Sequence, residues 1–448
     1  MRPMSGVSPA RRVAFSILKN LEKGKGHSDD LLRGKEVAAL SEADRHLTTA
    51  LVLGVLRWQI DLDGRIRPLL KHPKAKIEAE VLIALRLGAF QLLHLDRIPT
   101  HAAIDESVEI AKQAGHRFAS GMVNAVLRKL AEARGESVEE MSADDCCKAH
   151  PAWIVDRWRT IYGVETARAI CRQGQTQPNL TLRTSGDSVE AELATGGLVL
   201  RPGELLTSAQ QVVAGDATKT AAFREGRVRI QDEGSQLIAE LAPRGRMILD
   251  CCAAPGGKTL ILAERNPGAR IVASEASAQR LAQLRDRVRF LEERVQCRLA
   301  DATAIADDSA FDVALADVPC SGTGTLGRNP EIRHRLRPDD MPRQAARQKA
   351  ILRAALCAVR PGGYVLYSTC SLEPEENEQV VKAVLSERRD ARSIALKQRI
   401  ERLQAEGILV DSGAKSLVES LTPEGALSLL PGTLGTDGFY AALIQREA

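Results

Sequence analysis

The 448-residue chain is too long for one ordinary domain, so its length predicts two or three domains. Hydrophobic residues make up 44% and charged residues 27% of the sequence, which is typical of a soluble globular protein, and no apolar stretch is long enough to span a bilayer. The formal net charge of +4 neither requires nor excludes a nucleic-acid partner, because a binding face needs only a local charge asymmetry.

The N-terminus and the cysteines bear on the compartment and on metal binding. The segment MRPMSGVSPARRVAF lacks a long apolar core before a small-residue cleavage site, so we predict no signal peptide and a cytoplasmic location. The 9 cysteines are an odd number and contain no C-x-x-C pair. This count and spacing argue against a disulfide framework and against a structural zinc site, and no metal is expected.

Residues 8–135 are predicted to be helical. Apolar residues recur there at helical spacing, without the alternation that a half-buried strand would show. The spacing predicts a helical bundle, and basic residues such as Arg11, Arg12, Arg128 and Lys129 could form a face for RNA. A merely solvated basic face explains the same charges equally well.

The predicted secondary structure changes twice after this bundle. A hinge is expected near His150–Trp153, and short β-like segments over residues 177–235 predict a small α+β module. From about Met247 strands, loops and helices alternate, which predicts a parallel sheet with right-handed crossovers, that is, a doubly wound α/β domain. Residues 385–420 are charged and are predicted to be helical, without an assigned role.

Three domains follow from this pattern. We predict a helical domain over residues 1–140, linker helices with the small α+β module over residues 141–240, and the α/β domain over residues 241–448. The strand candidates of the last domain are the apolar runs at 247–250, 269–274, 311–316 and 364–368.

A glycine-rich turn follows the first of these strands, in the run Asp250–Thr259 with the sequence DCCAAPGGKT. Gly256 and Gly257 allow the backbone to approach a ligand, and the N-terminus of the following helix favours an anionic group such as a carboxylate or a phosphate. The ending Gly-Lys-Thr suggests a phosphate loop, but that motif requires glycine where Cys252 stands. The dinucleotide motif G-x-G-x-x-G is also absent, so the sequence argues against both phosphate-binding loops.

Two carboxylates follow the next strands. Glu275 ends the second strand, where a carboxylate can accept hydrogen bonds from both ribose hydroxyls of a nucleoside. Asp301 ends the third strand and is expected beside an adenine ring. Both positions suit a ligand that contains adenosine, and the site has no lysine arranged to hold a phosphate. We therefore predict S-adenosyl-L-methionine as the cofactor, with its carboxylate at the glycine-rich turn.

Two cysteines are expected at the same edge of the sheet. Cys320 lies in the run DVPCSGTG, which begins at Asp317 after the fourth strand, and Cys370 follows the next strand in STCSLEPEEN. Ligands bind at the carboxyl ends of the strands in open α/β sheets, so these side chains should share one edge. One such cysteine alone would be read as a buried structural residue. Two cysteines at equivalent strand ends beside a cofactor turn indicate a catalytic role.

These motifs carry a resemblance to a known family. The runs DCCAAPGGKT, DVPCSGTG and STCSLEPEEN, with the tail from Pro431 to Phe439, resemble the RNA (cytosine-5)-methyltransferases, in particular the bacterial 16S ribosomal RNA enzymes of the RsmB (Sun/Fmu) type. Those enzymes carry an N-terminal domain like the antitermination factor NusB, which residues 8–135 resemble. The resemblance implies a Rossmann-like, S-adenosylmethionine-dependent methyltransferase domain. It also implies a monomer whose partner is small-subunit ribosomal RNA, with neither DNA nor a membrane involved.

The resemblance further implies roles for individual residues. Cys370 is expected to attack C6 of cytosine, Asp317 to hold the proton on N3, and Cys320 to assist product release. Apart from the resemblance, we expect Lys258 to stabilise a thiolate or the cytosine carbonyl. Glu275 stands where the family more often has aspartate, which keeps the carboxylate. The expected cofactor-binding residues are Cys252, Ala253, Ala254, Pro255, Gly256, Gly257, Lys258, Glu275, Arg280, Asp301 and Asp317.

Other functions stay open at the level of the sequence. The helical N-terminus permits an RNA-binding assembly or regulatory factor without catalysis of its own, although an intact cofactor turn and both cysteines argue against it. A methyltransferase acting on another RNA, such as tRNA, is a further alternative. A DNA cytosine methyltransferase would use a PCQ motif, whereas Ser321 follows Pro-Cys in this chain.

Overall fold

The computed structural model describes residues 6–133, 142–184 and 186–447, which divide into two units. The first unit consists of Met1–Gln177 together with the short segment Leu326–Arg335, and the second consists of Pro178–Thr325 and Leu336–Ala448. A piece of ten residues from the C-terminal half of the chain therefore completes the N-terminal unit. No helix among the described residues is both long enough and apolar enough to cross a membrane.

The first unit contains only helices and turns in its described residues. This confirms the predicted helical N-terminal domain, whose core is built on fully buried leucines such as Leu51, Leu62, Leu85 and Leu127. The predicted hinge near His150 is the turn between the eighth and ninth helices. The helices are α1 (Pro9–Glu22), α2 (Ser28–Leu32), α3 (Lys35–Ala38), α4 (Glu42–Ile66), α5 (Ala79–His94), α6 (Thr100–Gln113), α7 (Ser120–Ala133), α8 (Ala143–Lys148), α9 (Ala152–Tyr162) and α10 (Val164–Gln175).

Arg11 does not belong to a basic surface, which corrects one expectation for this unit. Its side chain is buried, and its guanidinium donates to Gln91 Oε1 at 2.7 Å and to Glu106 Oε1 at 2.8 Å. The residue lies on the face of α1 that packs into the bundle, where a paired and hydrogen-bonded arginine is tolerated. Arg128 and Lys129 are exposed, as a surface role requires.

The second unit begins with a small module in which helices cover a sheet. Its strands pair antiparallel in the order β2-β3-β1-β4, which confirms the predicted α+β module. Leu182, Leu193 and Val228 are at the centre of its own small core. The elements are β1 (Leu180–Arg183), α11 (Asp187–Thr195), β2 (Val199–Pro202), β3 (Ala209–Ala214), α12 (Ala221–Arg224), β4 (Arg229–Ile230) and α13 (Glu233–Leu241).

The remainder of the second unit is an α/β domain. Its strands are β5 (Met247–Asp250), β6 (Arg270–Glu275), β7 (Val295–Leu299), β8 (Phe311–Asp317), β9 (Val359–Thr369), β10 (Ala391–Ile394), β11 (Leu427–Leu429) and β12 (Phe439–Arg446). Its helices are α14 (Gly257–Arg265), α15 (Ala278–Val288), α17 (Asp340–Ala358), α18 (Glu378–Glu387), α19 (Lys397–Ala405) and α20 (Asp411–Glu419), while α16 (Ile332–Arg335) belongs to the first unit.

The large sheet is mixed. Strands β5 to β9 are parallel and adjacent in the order β9-β8-β5-β6-β7, which confirms the predicted parallel core. The C-terminal strands extend it with antiparallel pairs, β12 on β9 and β10 on β12. The prediction of helix throughout residues 385–420 is therefore wrong at β10, which is a short edge strand with a polar, half-exposed sequence, and is confirmed at α19 and α20. All five parallel strands place their carboxyl ends at one edge.

The segment 326–335 is bound to the first unit by buried polar contacts. The guanidinium of Arg333 is almost fully buried and donates to the carbonyl oxygens of Gly174 at 2.8 Å, Arg57 at 3.2 Å and Ala149 at 3.3 Å. Glu331 accepts from the backbone and hydroxyl of Ser28 at 3.0 and 2.8 Å. Burial lowers the pKa of Arg333 to about 9. The acceptors of its hydrogen bonds are carbonyl oxygens of the backbone and of the Gln175 side chain.

We expect Arg333→Ala to lower the free energy of unfolding by about 3–5 kcal/mol, because several buried carbonyls lose their donor and a cavity opens. Urea denaturation followed by circular dichroism measures this loss. Arg128→Ala, at an exposed position on α7, is the control and should stay within about 0.5 kcal/mol of the wild type. A change below about 1 kcal/mol for Arg333→Ala would contradict the assigned anchoring role.

Candidate active site

The turn between β5 and α14 is tightly fixed by backbone contacts. Ala253 N donates to Ser274 O at 2.9 Å, and Gly256 N donates to Ala253 O at 2.7 Å. Gly256 has φ +100°, and a Cβ atom there would lie 2.9 Å from Leu284 Cδ1, so glycine is required both for its conformation and for the available space. The turn leaves the N-terminus of the nine-residue helix α14 at the carboxyl edge of the sheet.

Glu275 and Arg280 support this turn. Glu275 is buried at the end of β6, and its Oε1 accepts from Ser277 N at 2.8 Å. Arg280 Nη1 lies 3.6 Å from Glu275 Oε2, while its Nη2 donates to Ala254 O at 2.8 Å. The arginine thus connects the carboxylate to the turn, and both predicted residues lie beside it.

Asp301 lies two residues beyond β7 at the same edge of the sheet. Its side chain is exposed and accepts from Thr303 N at 2.9 Å. This backbone hydrogen bond holds the pKa of Asp301 below its usual value. The structure places Asp301 at the expected strand end, with its side chain exposed.

Asp250, which ends β5, is buried and accepts from Thr259 Oγ1 at 2.7 Å. Burial raises its pKa from 3.8 to about 7, against the opposing effect of the Thr259 hydrogen bond. The folded state therefore keeps its proton between about pH 4 and pH 7, where the unfolded state has lost it. This group contributes a stability that is present below about pH 4 and declines as the pH rises through 7.

We expect Asp250→Asn to remove this pH dependence of stability. As the pH rises from about 4 to about 8, the free energy of unfolding of the variant should therefore gain about 2–4 kcal/mol relative to that of the wild type. Urea denaturation at a series of pH values measures the difference. Asp308→Asn changes an exposed carboxylate and should follow the wild-type profile. Parallel profiles for Asp250→Asn and the wild type would show that Asp250 is not buried as described.

Lys258 and Asp317 form an ion pair in front of the sheet edge. Lys258 Nζ lies 2.8 Å from Asp317 Oδ2, Ser368 Oγ donates to Asp317 Oδ1 at 2.7 Å, and the ammonium lies 5.8 Å from the centre of the Phe439 ring. Burial acts to lower the pKa of Lys258, but the charge and hydrogen bond of Asp317, with a smaller contribution from Cys370, raise it overall. The pair is neutral overall, but its ammonium is close enough to Cys370 to interact with it electrostatically.

Cys320 and Cys370 are in direct contact, with their sulfur atoms 3.3 Å apart. Both thiols are half-buried, at the carboxyl ends of the adjacent strands β8 and β9. The hydrogen bond with Cys370, burial and the charge at Cys370 together raise the pKa of Cys320 well above its usual range. The raised pKa favours the protonated form of Cys320, and either sulfur can be the donor in their contact.

Glu376, which the sequence analysis did not single out, joins the two cysteine loops. Its carboxylate is fully buried and accepts from Ser321 N at 2.9 Å and from the hydroxyls of Ser321 and Ser371. Gln348 Nε2 donates to the same carboxylate at 2.9 Å. The sequence carries a partial signal, because both cysteines are followed by serine and the second serine precedes an acidic turn, but this signal does not say which glutamate of the turn is the partner.

The C-terminal tail closes against the same loops. Gly324 N donates to Cys370 O at 2.9 Å, and Gly438 N donates to Gly324 O at 2.9 Å. A Cβ atom at Gly324 would lie 2.5 Å from Gly438 O, so only glycine permits this approach. The tail, which carries part of the family resemblance, is thus hydrogen-bonded to the loops that hold the two cysteines.

The fold and this edge define a Rossmann-like methyltransferase domain joined to a helical domain. Three family models match the chain. The model described as 16S rRNA methyltransferase RsmB/F matches residues 238–445, the NusB family matches residues 8–132, and the ferredoxin-like domain of RsmF/B-like methyltransferases matches residues 150–209.

Curated relatives match over nearly the full length. Ribosomal RNA small subunit methyltransferase B of Pseudomonas putida is 35% identical, and the probable ribosomal RNA small subunit methyltransferase B of Bacillus subtilis is 32% identical, with 98% of each chain covered in both cases. The chain belongs to the 16S rRNA methyltransferase RsmB/F family. The crystal structure of PH0851 has a similar fold, with 22% identity, a TM-score of 0.79, and coverage of 98% of this chain and 99% of that one.

Proposed function

We propose that this protein transfers a methyl group from S-adenosyl-L-methionine to C5 of a specific cytosine in 16S ribosomal RNA, through a covalent bond between Cys370 and C6 of the base. The observation that carries the proposal is the contact of Cys320 with Cys370, 3.3 Å apart, at the edge that holds the glycine-rich turn. Family membership supports methyl transfer to ribosomal RNA.

The chain's own groups fit S-adenosylmethionine better than a phosphate-bearing cofactor. Lys258 is paired with Asp317, so it is not arranged to hold a phosphate, and the buried carboxylate of Glu275 would repel one. Glu275 suits the two ribose hydroxyls, Asp301 the adenine edge, and the N-terminus of α14 the carboxylate. When bound, this cofactor supplies an electrophilic methyl group on a sulfonium.

The other predicted contacts support the same site. Cys252, Ala253, Ala254, Pro255 and Gly256 form the turn, Gly257 begins α14, and Arg280 ties the turn to Glu275. We infer that these residues shape the pocket mainly through the backbone, because burial raises the pKa of the Cys252 thiol and keeps it neutral. Asp317 lies between this turn and the cysteines, next to both proposed ligands.

The reaction begins with activation of the base. C5 of cytosine is a poor nucleophile, and addition of the Cys370 thiolate to C6 converts the ring to an enamine that can attack through C5. The Lys258 ammonium stabilises the thiolate, and Asp317 holds the proton on N3 that the adduct requires. The target base must leave any stack to reach these groups.

Release of the product needs a base near C5, and Cys320 meets this need. In the free protein the hydrogen bond and charge of Cys370 help to keep Cys320 protonated. Once Cys370 is bonded to carbon, both effects disappear, and the pKa of Cys320 falls. Cys320 then loses its proton to solvent and, as a thiolate, accepts the C5 proton. The electrons of the C5–H bond form the C5–C6 double bond as the Cys370–C6 bond breaks, the Cys370 thiolate is restored, and the proton on N3 is released.

The experiment that tests the proposal uses the purified protein, S-adenosylmethionine with a labelled methyl group, and 16S ribosomal RNA. Bisulfite sequencing of ribosomal RNA from cells with and without the gene should show one cytosine that is protected only when the gene is present. Labelling of tRNA instead of 16S RNA would show that the substrate is tRNA. Tight RNA binding with no S-adenosylmethionine binding by calorimetry would favour an assembly factor and overturn the proposal.

A further inference from the structure

We propose that Glu376 is a positioning residue that holds Cys320 and Cys370 in mutual contact and thereby couples formation of the covalent adduct to its resolution. The inference rests on the proposed function, because it concerns how the two cysteines divide the reaction between them. Glu376 itself is not placed against either substrate. It acts through the residues that follow the two cysteines.

One carboxylate binds both cysteine loops at the residue next to the cysteine. On the first loop Ser321 directs its backbone N–H, at 2.9 Å, and its hydroxyl to Glu376. On the second loop the hydroxyl of Ser371 is bound to Glu376, and it lies 2.9 Å from the hydroxyl of Ser321. Since each serine directly follows a cysteine, a displacement of Glu376 changes the position of both sulfur atoms.

Glu376 is itself held by two further residues, Gln348 and Tyr367. Gln348 on α17 donates to Oε1 at 2.9 Å, and the Tyr367 hydroxyl donates to the backbone carbonyl of Glu376. Gln348 also donates to Pro319 O at 2.9 Å, next to Cys320. The hydrogen bonds described for this carboxylate come from neutral donors. A buried carboxylate surrounded in this way is costly to bury, which indicates that its geometry serves the site.

The charge of Glu376 has a second effect. Cys320 interacts with Cys370, Glu376 and Tyr367, while Cys370 interacts with Lys258, which is paired with Asp317. Glu376 adds to the effects that raise the pKa of Cys320, after the hydrogen bond from Cys370, burial and the charge at Cys370. Neutralising Glu376 therefore lowers the pH at which Cys320 can accept a proton, an effect that a purely structural residue would not have.

The test compares Glu376→Ala, Glu376→Gln and the control Glu375→Gln, which removes a charge from the same turn. For Glu376→Ala we expect kcat to fall about 10²-fold, with KM for RNA within about twofold and with covalent protein–RNA adduct accumulating on denaturing gels. Glu376→Gln keeps the shape of the side chain, and its kcat should be about tenfold higher than that of Glu376→Ala. Its pH profile for adduct resolution should shift to lower pH, while Glu375→Gln follows the wild type.

A readout independent of catalysis separates this inference from the proposed function. With oxidised glutathione as oxidant, the wild-type protein should form a Cys320–Cys370 disulfide that mass spectrometry of peptides detects, and Glu376→Ala should form it about tenfold more slowly. If Glu376→Ala does not fold, Glu376→Gln carries the test through its pH profile. The inference would be overturned if Glu376→Gln had the kcat, the pH profile and the rate of disulfide formation of the wild type. Absence of methylation by the wild type would overturn only the proposed function.

Discussion

Cys370→Ala is expected to lower methyl transfer to RNA by about 10⁴-fold or more, because no other group activates C5 of cytosine once the thiolate is lost. The measurement is transfer of labelled methyl from S-adenosylmethionine to 16S RNA. Cys370 is only half-buried, so the small cavity left by alanine should not unfold the domain. Binding of S-adenosylmethionine, measured by calorimetry, should be unchanged and reports that the cofactor turn is intact.

The matched control is Cys357→Ala. This cysteine is exposed on α17, and its sulfur accepts from Arg388 Nη1 at 3.0 Å. It should keep the wild-type rate, which would show that the loss at position 370 does not reflect general thiol chemistry. Wild-type transfer by Cys370→Ala would refute the proposed nucleophile.

Cys320→Ala should trap the covalent intermediate. The Cys370 thiolate can still add to C6 and the methyl group can still be transferred, but the base that removes the C5 proton is missing. Release should slow by about 10²–10³-fold, the usual contribution of a general base. Labelled RNA should therefore remain attached to the protein on denaturing gels, in proportion to the cofactor supplied.

The double variant Cys320→Ala/Cys370→Ala separates the two roles. It should form no adduct, because the attacking sulfur is absent. The opposite pattern, with adduct in Cys370→Ala and none in Cys320→Ala, would exchange the roles of the two cysteines. The geometry makes this a fair test, since the sulfur atoms are 3.3 Å apart and either one is close enough to reach the same base.

The parallel core and its active edge were predictable because they depend on local sequence. The apolar runs ending at Asp250, Glu275 and Asp317 are buried strands flanked by turn residues, and such a pattern specifies strand position without further information. Once the strands are parallel, their carboxyl ends share an edge, and Cys320 and Cys370 are brought together by topology alone. The resemblance was needed only to assign roles to them.

Other features depend on partners distant in the chain. The strand β10 is polar and half-exposed, so it is a strand only because β12 offers it an edge to pair with. The burial of Arg11 depends on Gln91 and Glu106, which come from two other helices. Glu376 is one of several acidic residues in its turn, and only the three-dimensional positions of Ser321 and Ser371 distinguish it.

The position of segment 326–335 in the chain has a consequence for biosynthesis. The first unit is interrupted after Gln177, and its last piece starts at Leu326, so the 148 residues from 178 to 325 separate the two pieces. At the usual rate of about 5–20 residues per second, about 7–30 s pass before Arg333 is made. Until then the carbonyls of Gly174 and Ala149 lack their donor, so the N-terminal unit completes its folding late, after strands β5 to β8 of the methyltransferase domain have been synthesised.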